Sequence, residues 1–317
     1  MYKVLITATN YDELCTEGLE LLKDNDCEVV LTPFNRAHTE DELLRVVGDI
    51  DGVIANVDPW TAKVMSEAKH LKAIAMFGTG VDHIDLEEAK KRGIVVTNCP
   101  GLNAPAVAEH TIALMMSALR HIPRLAAITK GGEWPQVSFH ELEFKTVGIL
   151  GFGTIGQRVA KILRGFNVKV IAYNRTPRPE IAEELGVTLC DFETVMKESD
   201  VILIHMASNK DTFHLINERS LKLVKPSALI VNTSRGALVD EKAVAAALEK
   251  KQFELYATDV FEKEPVDQDN PLLGLENVLV TPHSAGQTYE NYRKTGLATA
   301  TAIVDVFKGR EPLNRRA

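Results

Sequence analysis

The chain has 317 residues, of which 45% are hydrophobic and 25% are charged, and its formal net charge is −8. This length suffices for two domains, and the composition is that of an ordinary globular protein. The acidic balance disfavours nucleic acid as a partner, and no apolar run reaches the roughly 18 residues of a membrane span. The N-terminus lacks a signal-peptide pattern and the four cysteines are widely spaced, so we expect a reduced, cytoplasmic protein that binds no metal.

Short apolar runs alternate with helical patterns through the first hundred residues. The predicted strands lie at 3–7, 27–31, 52–55, 71–77 and 94–97, and the predicted helices at 14–23, 39–47, 61–68 and 86–92. This alternation predicts a small α/β domain with a mostly parallel sheet. The turn residues 98–101 (NCPG) mark the point where we expect the chain to cross into a second domain.

The second half repeats the alternation of strands and helices. A long helix is predicted over 104–121, and an irregular arm follows at 130–135. The later predicted strands lie at 147–150, 168–173, 201–205, 228–232, 255–260 and 278–281, with helices at 241–250 and 288–308. A mostly parallel sheet is therefore expected here as well.

The stretch 147–156 (VGILGFGTIG) joins a short apolar run to a helical pattern and ends in G-x-G-x-x-G. With the next apolar run it has the size and order of a dinucleotide-binding βαβ unit. Gly151 would permit the tight turn, Gly153 the approach of a pyrophosphate, and Gly156 the close packing of helix on strand. N–H groups at the helix start, at Thr154 and Ile155, would hold the pyrophosphate. A glycine-rich turn without a ligand is the alternative.

The residues after the second strand of this unit bear on the choice between NAD and NADP. An acidic residue there binds the ribose hydroxyls and repels a 2′-phosphate. Here the chain has Asn174, Arg175 and Thr176 instead. A neutral side chain, a guanidinium and a hydroxyl favour NADP, while Asn174 can still bond a ribose, which leaves NAD open.

Two polar side chains follow apolar strand patterns in the second half. Arg235 comes just after the strand that ends at Asn232, where α/β enzymes place ligand groups, and a guanidinium binds a carboxylate bidentately. His283 follows the run 278–280, and an imidazole gives and takes a proton near neutral pH. A surface arginine that caps a loop and a structural histidine are the alternatives.

Several motifs together resemble the D-isomer-specific 2-hydroxyacid dehydrogenase family over essentially the whole chain. Besides the glycine fingerprint, they are TNCPGLN at 97–103, VAEHT at 107–111, NTSRG at 232–236, DVFEKEP at 259–265 and TPH at 281–283. Within the family, the chain is most similar to the phosphoglycerate dehydrogenase and hydroxypyruvate/glyoxylate reductase branch.

The resemblance implies an oxidoreductase that transfers a hydride between NAD(P) and a small D-2-hydroxy or 2-keto acid. It implies two Rossmann-like, doubly wound parallel-sheet α/β domains with a cleft between them. The substrate-binding domain would comprise residues 1–99 plus 286–317, and the dinucleotide-binding domain residues 100–285. A homodimer formed through the nucleotide domain and the arm around Trp134 is also implied.

The family match implies a catalytic triad of Arg235, Glu264 and His283. Arg235 would bind the substrate, His283 would exchange the proton, and Glu264, which directly precedes Pro265, would orient the imidazole and favour its protonated form. A solvated loop glutamate is the alternative for Glu264, because Glu262 lies in the same charged run.

Further site residues follow from the same resemblance. Thr233 and Asp259 match cofactor-binding positions, and Asp259 would contact the nicotinamide carboxamide. The turn of Gly78, Thr79 and Gly80 would bind the substrate carboxylate through backbone N–H groups from the opposite side of the cleft. An ordinary turn between a strand and a helix is the alternative.

The substrate and the functional class remain open at this point. Residues 56–60 (NVDPW) stand where phosphoglycerate dehydrogenases often carry a phosphate-binding arginine, and they contain an acid and no base, which argues against 3-phosphoglycerate. Trp60 either lines an apolar pocket or packs in the interior. NAD(H)-sensing transcriptional corepressors share the fold and keep the triad, so a nucleotide sensor is the alternative to an enzyme.

Overall fold

The computed structural model describes residues 1–34 and 36–317. It divides into two compact units, one of residues 1–103 with 287–317 and the other of residues 104–286. Each unit contains a parallel β-sheet, of five and seven strands respectively, which confirms the predicted fold class of two parallel-sheet α/β domains. No helix among the described residues is long and apolar enough to cross a membrane.

The first unit begins with alternating strands and helices. Its strands are β1 (Tyr2–Ile6), β2 (Cys27–Leu31), β3 (Gly52–Ala55), β4 (Ala73–Met76) and β5 (Val95–Thr97), in the sheet order β2-β1-β3-β4-β5. Its helices in this part of the chain are α1 (Tyr11–Leu14), α2 (Thr16–Lys23), α3 (Glu40–Leu44), α4 (Ala62–Glu67) and α5 (Leu86–Arg92). Trp60 has none of its surface exposed and packs in the interior of this unit.

The second unit begins with two helices and continues with the seven-stranded sheet. The helices are α6 (Ala104–Leu119), α7 (Ile122–Lys130), α8 (Thr154–Leu163), α9 (Pro179–Leu185), α10 (Phe192–Glu198), α11 (Glu218–Leu221) and α12 (Glu241–Glu249). The strands are β6 (Thr146–Leu150), β7 (Lys169–Tyr173), β8 (Val187–Leu189), β9 (Val201–Ile204), β10 (Leu229–Asn232), β11 (Leu255–Thr258) and β12 (Val278–Val280). The sheet order is β12-β11-β10-β9-β6-β7-β8.

The seven-stranded sheet is covered by apolar side chains on both faces. Within β9, Val201 and Leu203 belong to one hydrophobic cluster, while Ile202 and Ile204 belong to another. Successive side chains of a strand point to opposite faces, so the two clusters lie on the two sides of the sheet. This explains why the central strands are continuous apolar runs rather than alternating patterns.

The last helix, α13 (Tyr289–Phe307), returns to the first unit and packs on α2. A Cβ at Gly18 of α2 would lie 2.7 Å from the Gly296 carbonyl oxygen, so glycine permits this close approach. The Tyr11 hydroxyl donates to the same carbonyl at 2.7 Å. The C-terminal helix is therefore part of the core of the first unit.

The predicted helix over 104–121 is wrong at its C-terminal end. The helix ends at Leu119, and His121 adopts a left-handed backbone conformation with φ of 46°. A separate helix, α7, then begins at Ile122 with Pro123 in its first turn, a position where proline is well tolerated. The sequence reading also missed β8 and α9 to α11, which have between three and seven residues each.

Candidate active site

Arg235 lies on a turn that follows β10, and the last residue of that strand holds the turn. Asn232 is fully buried; its Oδ1 accepts the Ser234 N–H at 3.0 Å and its Nδ2 donates to the Arg235 carbonyl at 2.9 Å. The Arg235 guanidinium donates through Nη1 to the Ser234 carbonyl at 2.8 Å. The guanidinium is thus placed at the carboxyl end of the sheet, where ligands bind in α/β folds.

His283 and Glu264 are directly paired. His283 Nδ1 lies 2.5 Å from Glu264 Oε2, and the Phe261 N–H donates to Glu264 Oε1 at 2.9 Å. Glu262, the competing acid in the charged run, instead contacts His214 Nε2 at 2.9 Å. The sequence-based choice of Glu264 as the partner of the imidazole therefore agrees with the geometry. Both side chains of the pair are partly exposed, at 42% and 32%, so solvent can reach it.

The turns that carry Arg235 and Glu264 lie against each other at a glycine. A Cβ on Gly236 would lie 1.9 Å from the carbonyl carbon of Phe261. No side chain can be accommodated at that distance. Glu241 and Glu262 reinforce this contact, because each carboxylate accepts the backbone N–H of the other residue, at 3.2 and 2.7 Å. The two turns therefore form one rigid body.

Asp259 holds the turn that carries His283. Its backbone carbonyl accepts the His283 N–H at 2.8 Å, and its carboxylate accepts the Thr281 hydroxyl at 2.6 Å and the N–H groups of Ser284 and Ala285 at 2.8 and 2.9 Å. These bonds flank His283, whose backbone is left-handed with φ of 51°. The hydrogen bonds of Asp259 to residues on both sides of His283 stabilise this left-handed backbone conformation, which is uncommon for residues other than glycine.

The charge state of Asp259 fits this holding role. Burial alone would raise the pKa of its carboxyl, but bonds from His110, Thr281, Ser284 and Ala285 together hold the pKa below its ordinary value. Asp259 is fully buried, and its carboxylate already accepts these bonds. Its predicted contact with the nicotinamide carboxamide therefore stays a prediction.

The three glycines of the fingerprint differ in what surrounds them. Gly151 has φ of 102°, and a Cβ there would lie 2.5 Å from the His205 carbonyl. A Cβ on Gly156 would lie 2.2 Å from the Gly151 carbonyl, whereas one on Gly153 would meet nothing within 4 Å. Gly151 and Gly156 are thus required by the fold, and Gly153 leaves open space where a pyrophosphate can approach.

The start of α8 is available to an anion. Gly153 is its N-cap residue and has no side chain to accept the N–H groups of the first turn, which includes Thr154 and Ile155. Uncapped N–H groups at a helix N-terminus bind phosphate well. The residues present therefore fit a dinucleotide pyrophosphate.

His205 lies beside this glycine turn, and both of its ring nitrogens are buried without a hydrogen-bond partner in the described part of the chain. Burial disfavours the charged imidazolium and lowers the pKa of His205 to about 4. The imidazole is consequently neutral at physiological pH. It therefore contributes no charge to the glycine turn.

Asn174 connects the glycine turn to the end of β7. Its Oδ1 accepts the Phe152 N–H at 3.0 Å, and its Nδ2 donates to the Thr176 carbonyl at 2.6 Å. Arg175 and Thr176 are exposed. Arg175 forms no hydrogen bond or ion pair with any other residue that the structure describes.

In the first unit, the turn at Gly78, Thr79 and Gly80 follows β4. The Gly78 N–H donates to the Met76 carbonyl at 2.8 Å, so it is not available to a ligand. The Thr79 hydroxyl donates to the Cys99 carbonyl at 3.2 Å, and Asn98 Nδ2 donates to the Thr79 carbonyl at 2.5 Å. The N–H groups of Thr79 and Gly80 have no partner among the described residues. The predicted anion nest thus reduces to these two N–H groups.

Two residues of the VAEHT motif contact the catalytic turns, which the sequence reading missed. His110 Nε2 lies 3.1 Å from the Thr281 hydroxyl, and the Thr111 hydroxyl lies 2.8 Å from that of Thr233. The motif served only to identify a resemblance, and no role was given to either side chain. Two adjacent polar residues in a helix whose sequence is otherwise mostly apolar were the available signal.

Known proteins with similar sequences are dehydrogenases and reductases. The profile "D-isomer specific 2-hydroxyacid dehydrogenase, NAD binding domain" matches residues 112–285. The chain is 40% identical to a glyoxylate reductase of Thermococcus litoralis, over 98% of this chain and 96% of that protein. It is 39% identical to a D-3-phosphoglycerate dehydrogenase of Archaeoglobus fulgidus, over 97% of this chain but only 58% of that longer protein.

A solved structure is similar over the whole chain. The crystal structure of a Thermus thermophilus protein superposes with a TM-score of 0.90 at 34% identity, and the match covers 99% of this chain and 100% of that one. The matches extend beyond the nucleotide-binding motif to both units, and they give no support to the corepressor alternative. The chain belongs to the D-isomer-specific 2-hydroxyacid dehydrogenase family and is an NAD(P)-dependent oxidoreductase that acts on the CH–OH group of its donors.

Proposed function

We propose that the protein reduces a small, unphosphorylated 2-keto acid of the glyoxylate or hydroxypyruvate type, with NADPH preferred over NADH. The observation that carries the proposal is the 2.5 Å pair of His283 and Glu264 beside the rigid turn of Arg235. A relative named hydroxypyruvate reductase, from Thermotoga maritima, is 38% identical over 92% of this chain and supports the same substrate class.

Each member of the triad has a separate task in this reaction. A bound nicotinamide supplies the hydride that converts the keto carbon to a carbinol carbon. His283 donates the proton to the keto oxygen; because its Nδ1 is bonded to Glu264, Nε2 is the nitrogen that passes the proton. The Glu264 carboxylate orients the ring through Nδ1. Arg235 binds the substrate carboxylate bidentately.

Both units carry groups that can bind a ligand. Residues 104–286 hold the glycine turn, Thr233 and the triad, and we assign the cofactor and the Arg235 contact with the substrate carboxylate to them. In the first unit, the N–H groups of Thr79 and Gly80 suit an anion, because two adjacent donors in a turn form an anion nest.

Unphosphorylated substrates are favoured by residues 56–60 of the first unit. Asp58 is fully buried, and its carboxylate accepts the backbone N–H groups of Asn56 at 3.1 Å and His38 at 2.6 Å, and the hydroxyl of Thr7. The loop is therefore fixed by internal bonds. It presents no basic side chain that could bind a phosphate.

The test of the substrate class is a panel of 2-keto acids assayed with NADPH. Glyoxylate and hydroxypyruvate should be turned over, and 3-phosphohydroxypyruvate should be a poor substrate. His283→Ala should lower kcat roughly 10²–10⁴-fold while leaving nucleotide affinity nearly unchanged, because the glycine turn is a separate loop. A His283→Ala enzyme with wild-type kcat, or a wild-type protein inactive on the whole panel, would refute the proposal.

The cofactor preference rests on Arg175. An exposed guanidinium without a protein partner, next to the end of β7, can bind a 2′-phosphate. Removing a hydrogen bond to a charged group costs about 1.5–3 kcal/mol, so Arg175→Ala should weaken NADPH binding roughly 10- to 100-fold. NADH lacks the phosphate and is the internal control, since its affinity should not change. A wild-type enzyme that prefers NADH contradicts this part of the proposal.

We also propose that the protein is a homodimer formed through α7 and the arm at 131–138. Helix α7 has no buried residue, and the arm is exposed along its length. Ile122, Trp134 and Val137 are 53%, 80% and 55% exposed. Exposed apolar side chains grouped along a segment indicate a surface that another chain covers.

Sedimentation equilibrium tests this surface. Trp134→Glu combined with Val137→Glu should yield a monomer, because two charges cannot be buried without partners. Leu313→Glu is the matched control, since Leu313 is 82% exposed and lies in the first unit. A wild-type monomer, or a double variant that remains dimeric, refutes this assembly.

A further inference from the structure

Two neighbouring residues of α6, His110 and Thr111, contact two different catalytic turns of the second unit. His110 reaches the turn 281–285, which carries His283, and Thr111 reaches the turn 232–236, which carries Arg235. Both side chains and both turns belong to residues 104–286. One helix thus bonds to the turn of the proton donor and to the turn of the carboxylate-binding residue.

The direction of the first contact follows from the number of hydroxyl protons. The Thr281 hydroxyl has one proton, and it donates that proton to Asp259 Oδ1 at 2.6 Å, since a carboxylate can only accept. His110 Nε2, at 3.1 Å from the same hydroxyl, must therefore carry a hydrogen and donate it. His110 Nε2 also lies 3.5 Å from Asp259 Oδ1, so its N–H serves both the Thr281 hydroxyl and the carboxylate to which that hydroxyl donates.

The direction of the second contact follows in the same way. The Thr111 hydroxyl donates to the Val107 carbonyl at 2.7 Å, so it can only accept from Thr233 at 2.8 Å. Thr111 and Thr233 are both buried. The Thr233 proton is thus committed to α6, and its hydroxyl can offer a ligand only its lone pairs.

We propose that His110 and Thr111 are positioning residues of the reaction. His110 fixes the turn of His283, and Thr111 fixes the turn of Arg235. The inference rests on the proposed function of the triad. Misplacement of a reacting group by about 1 Å can lower a rate roughly 100-fold, so each contact has a measurable effect although neither residue belongs to the triad.

The two contacts should affect different kinetic parameters. His110→Leu removes the donor to Thr281, so kcat for 2-keto acid reduction should fall about 10- to 100-fold with KM for the keto acid nearly unchanged. Thr111→Val keeps the shape but removes the hydroxyl, so KM for the keto acid should rise about 3- to 10-fold with kcat nearly unchanged.

Conservative variants provide the matched controls. His110→Gln can place an amide donor near the position of Nε2, so it should restore most of the wild-type kcat. Thr111→Ser keeps the hydroxyl, so it should restore most of the wild-type KM. Affinity for ADP, which lacks the nicotinamide, should stay within about 2-fold in all four variants when measured by isothermal titration calorimetry, because the glycine turn is held by other contacts. If His110→Leu does not fold, His110→Asn, whose side chain is too short to reach Thr281, replaces it.

The outcome separates this inference from the proposed function. A wild-type protein without 2-keto acid reductase activity overturns the proposed function. The positioning roles alone are overturned if the wild type is active but His110→Leu and Thr111→Val have the same effects on kcat and KM. They are also overturned if His110→Gln and Thr111→Ser restore neither kcat nor KM. Selective loss of kcat in one variant and of substrate affinity in the other supports them.

Discussion

His205 predicts a specific acid sensitivity of the fold. Its pKa is about 4 in the native protein against an ordinary value of 6.5, because both ring nitrogens are buried without partners in the described structure. Between these two values the unfolded chain binds a proton that the folded chain excludes. The contribution of His205 to the free energy of unfolding is therefore fully present above pH 6.5 and is lost as the pH falls towards 4.

The size of the effect follows from the two pKa values. Linkage of one proton to unfolding gives a loss of about 2.5 kcal/mol in the free energy of unfolding between pH 7.5 and pH 4.5. The His205→Leu variant has a side chain of similar volume that cannot titrate. Its free energy of unfolding should fall about 2.5 kcal/mol less over the same interval, whatever the other ionisable groups contribute.

Urea unfolding followed by far-UV circular dichroism at several pH values measures this difference. The comparison uses the change with pH within each protein, so a shift in the neutral-pH stability of the variant cancels. If wild type and His205→Leu lose the same free energy of unfolding between pH 7.5 and 4.5, His205 is not the buried neutral imidazole described here. His205→Gln is the second non-titrating variant and should follow His205→Leu.

Three further outcomes are expected for the active site. Glu264→Gln should lower kcat of the reduction, because the His283 ring loses the carboxylate that holds its Nδ1; an unchanged kcat removes Glu264 from this role. Arg235→Lys should chiefly raise KM for the keto acid, since lysine keeps the charge but loses the bidentate fork, and an unchanged KM in steady-state kinetics contradicts it. Gly156→Ala should weaken nucleotide binding in a fluorescence titration, because the new Cβ would displace the Gly151 carbonyl, and wild-type affinity would refute this.

The sequence alone predicted the elements whose patterns are long or punctuated. Continuous apolar runs located β9 and β10, because both faces of the sheet are buried and no alternation is needed. The fingerprint placed the turn between β6 and α8, and the structure finds a different environment for each of its glycines. The break at His121 was missed because nothing in its neighbourhood except Pro123 signals a left-handed residue.

The sequence predicts residues for the candidate site but not the contacts among them. Arg235, Glu264 and His283 could be found because they follow strands or match motifs. The bonds of Asp259 to residues 281–285 involve backbone N–H groups, which carry no signature in a sequence. Likewise, the contacts of His110 with Thr281 join positions 171 residues apart, and only the fold brings them together.

Because only glycine fits at position 236, changes of substrate specificity in this enzyme are constrained. The backbone of Phe261 occupies the space that any other residue at 236 would need, so the guanidinium and the acid that orients the imidazole cannot be repositioned independently. Directed evolution of the second unit would meet this constraint at its first step.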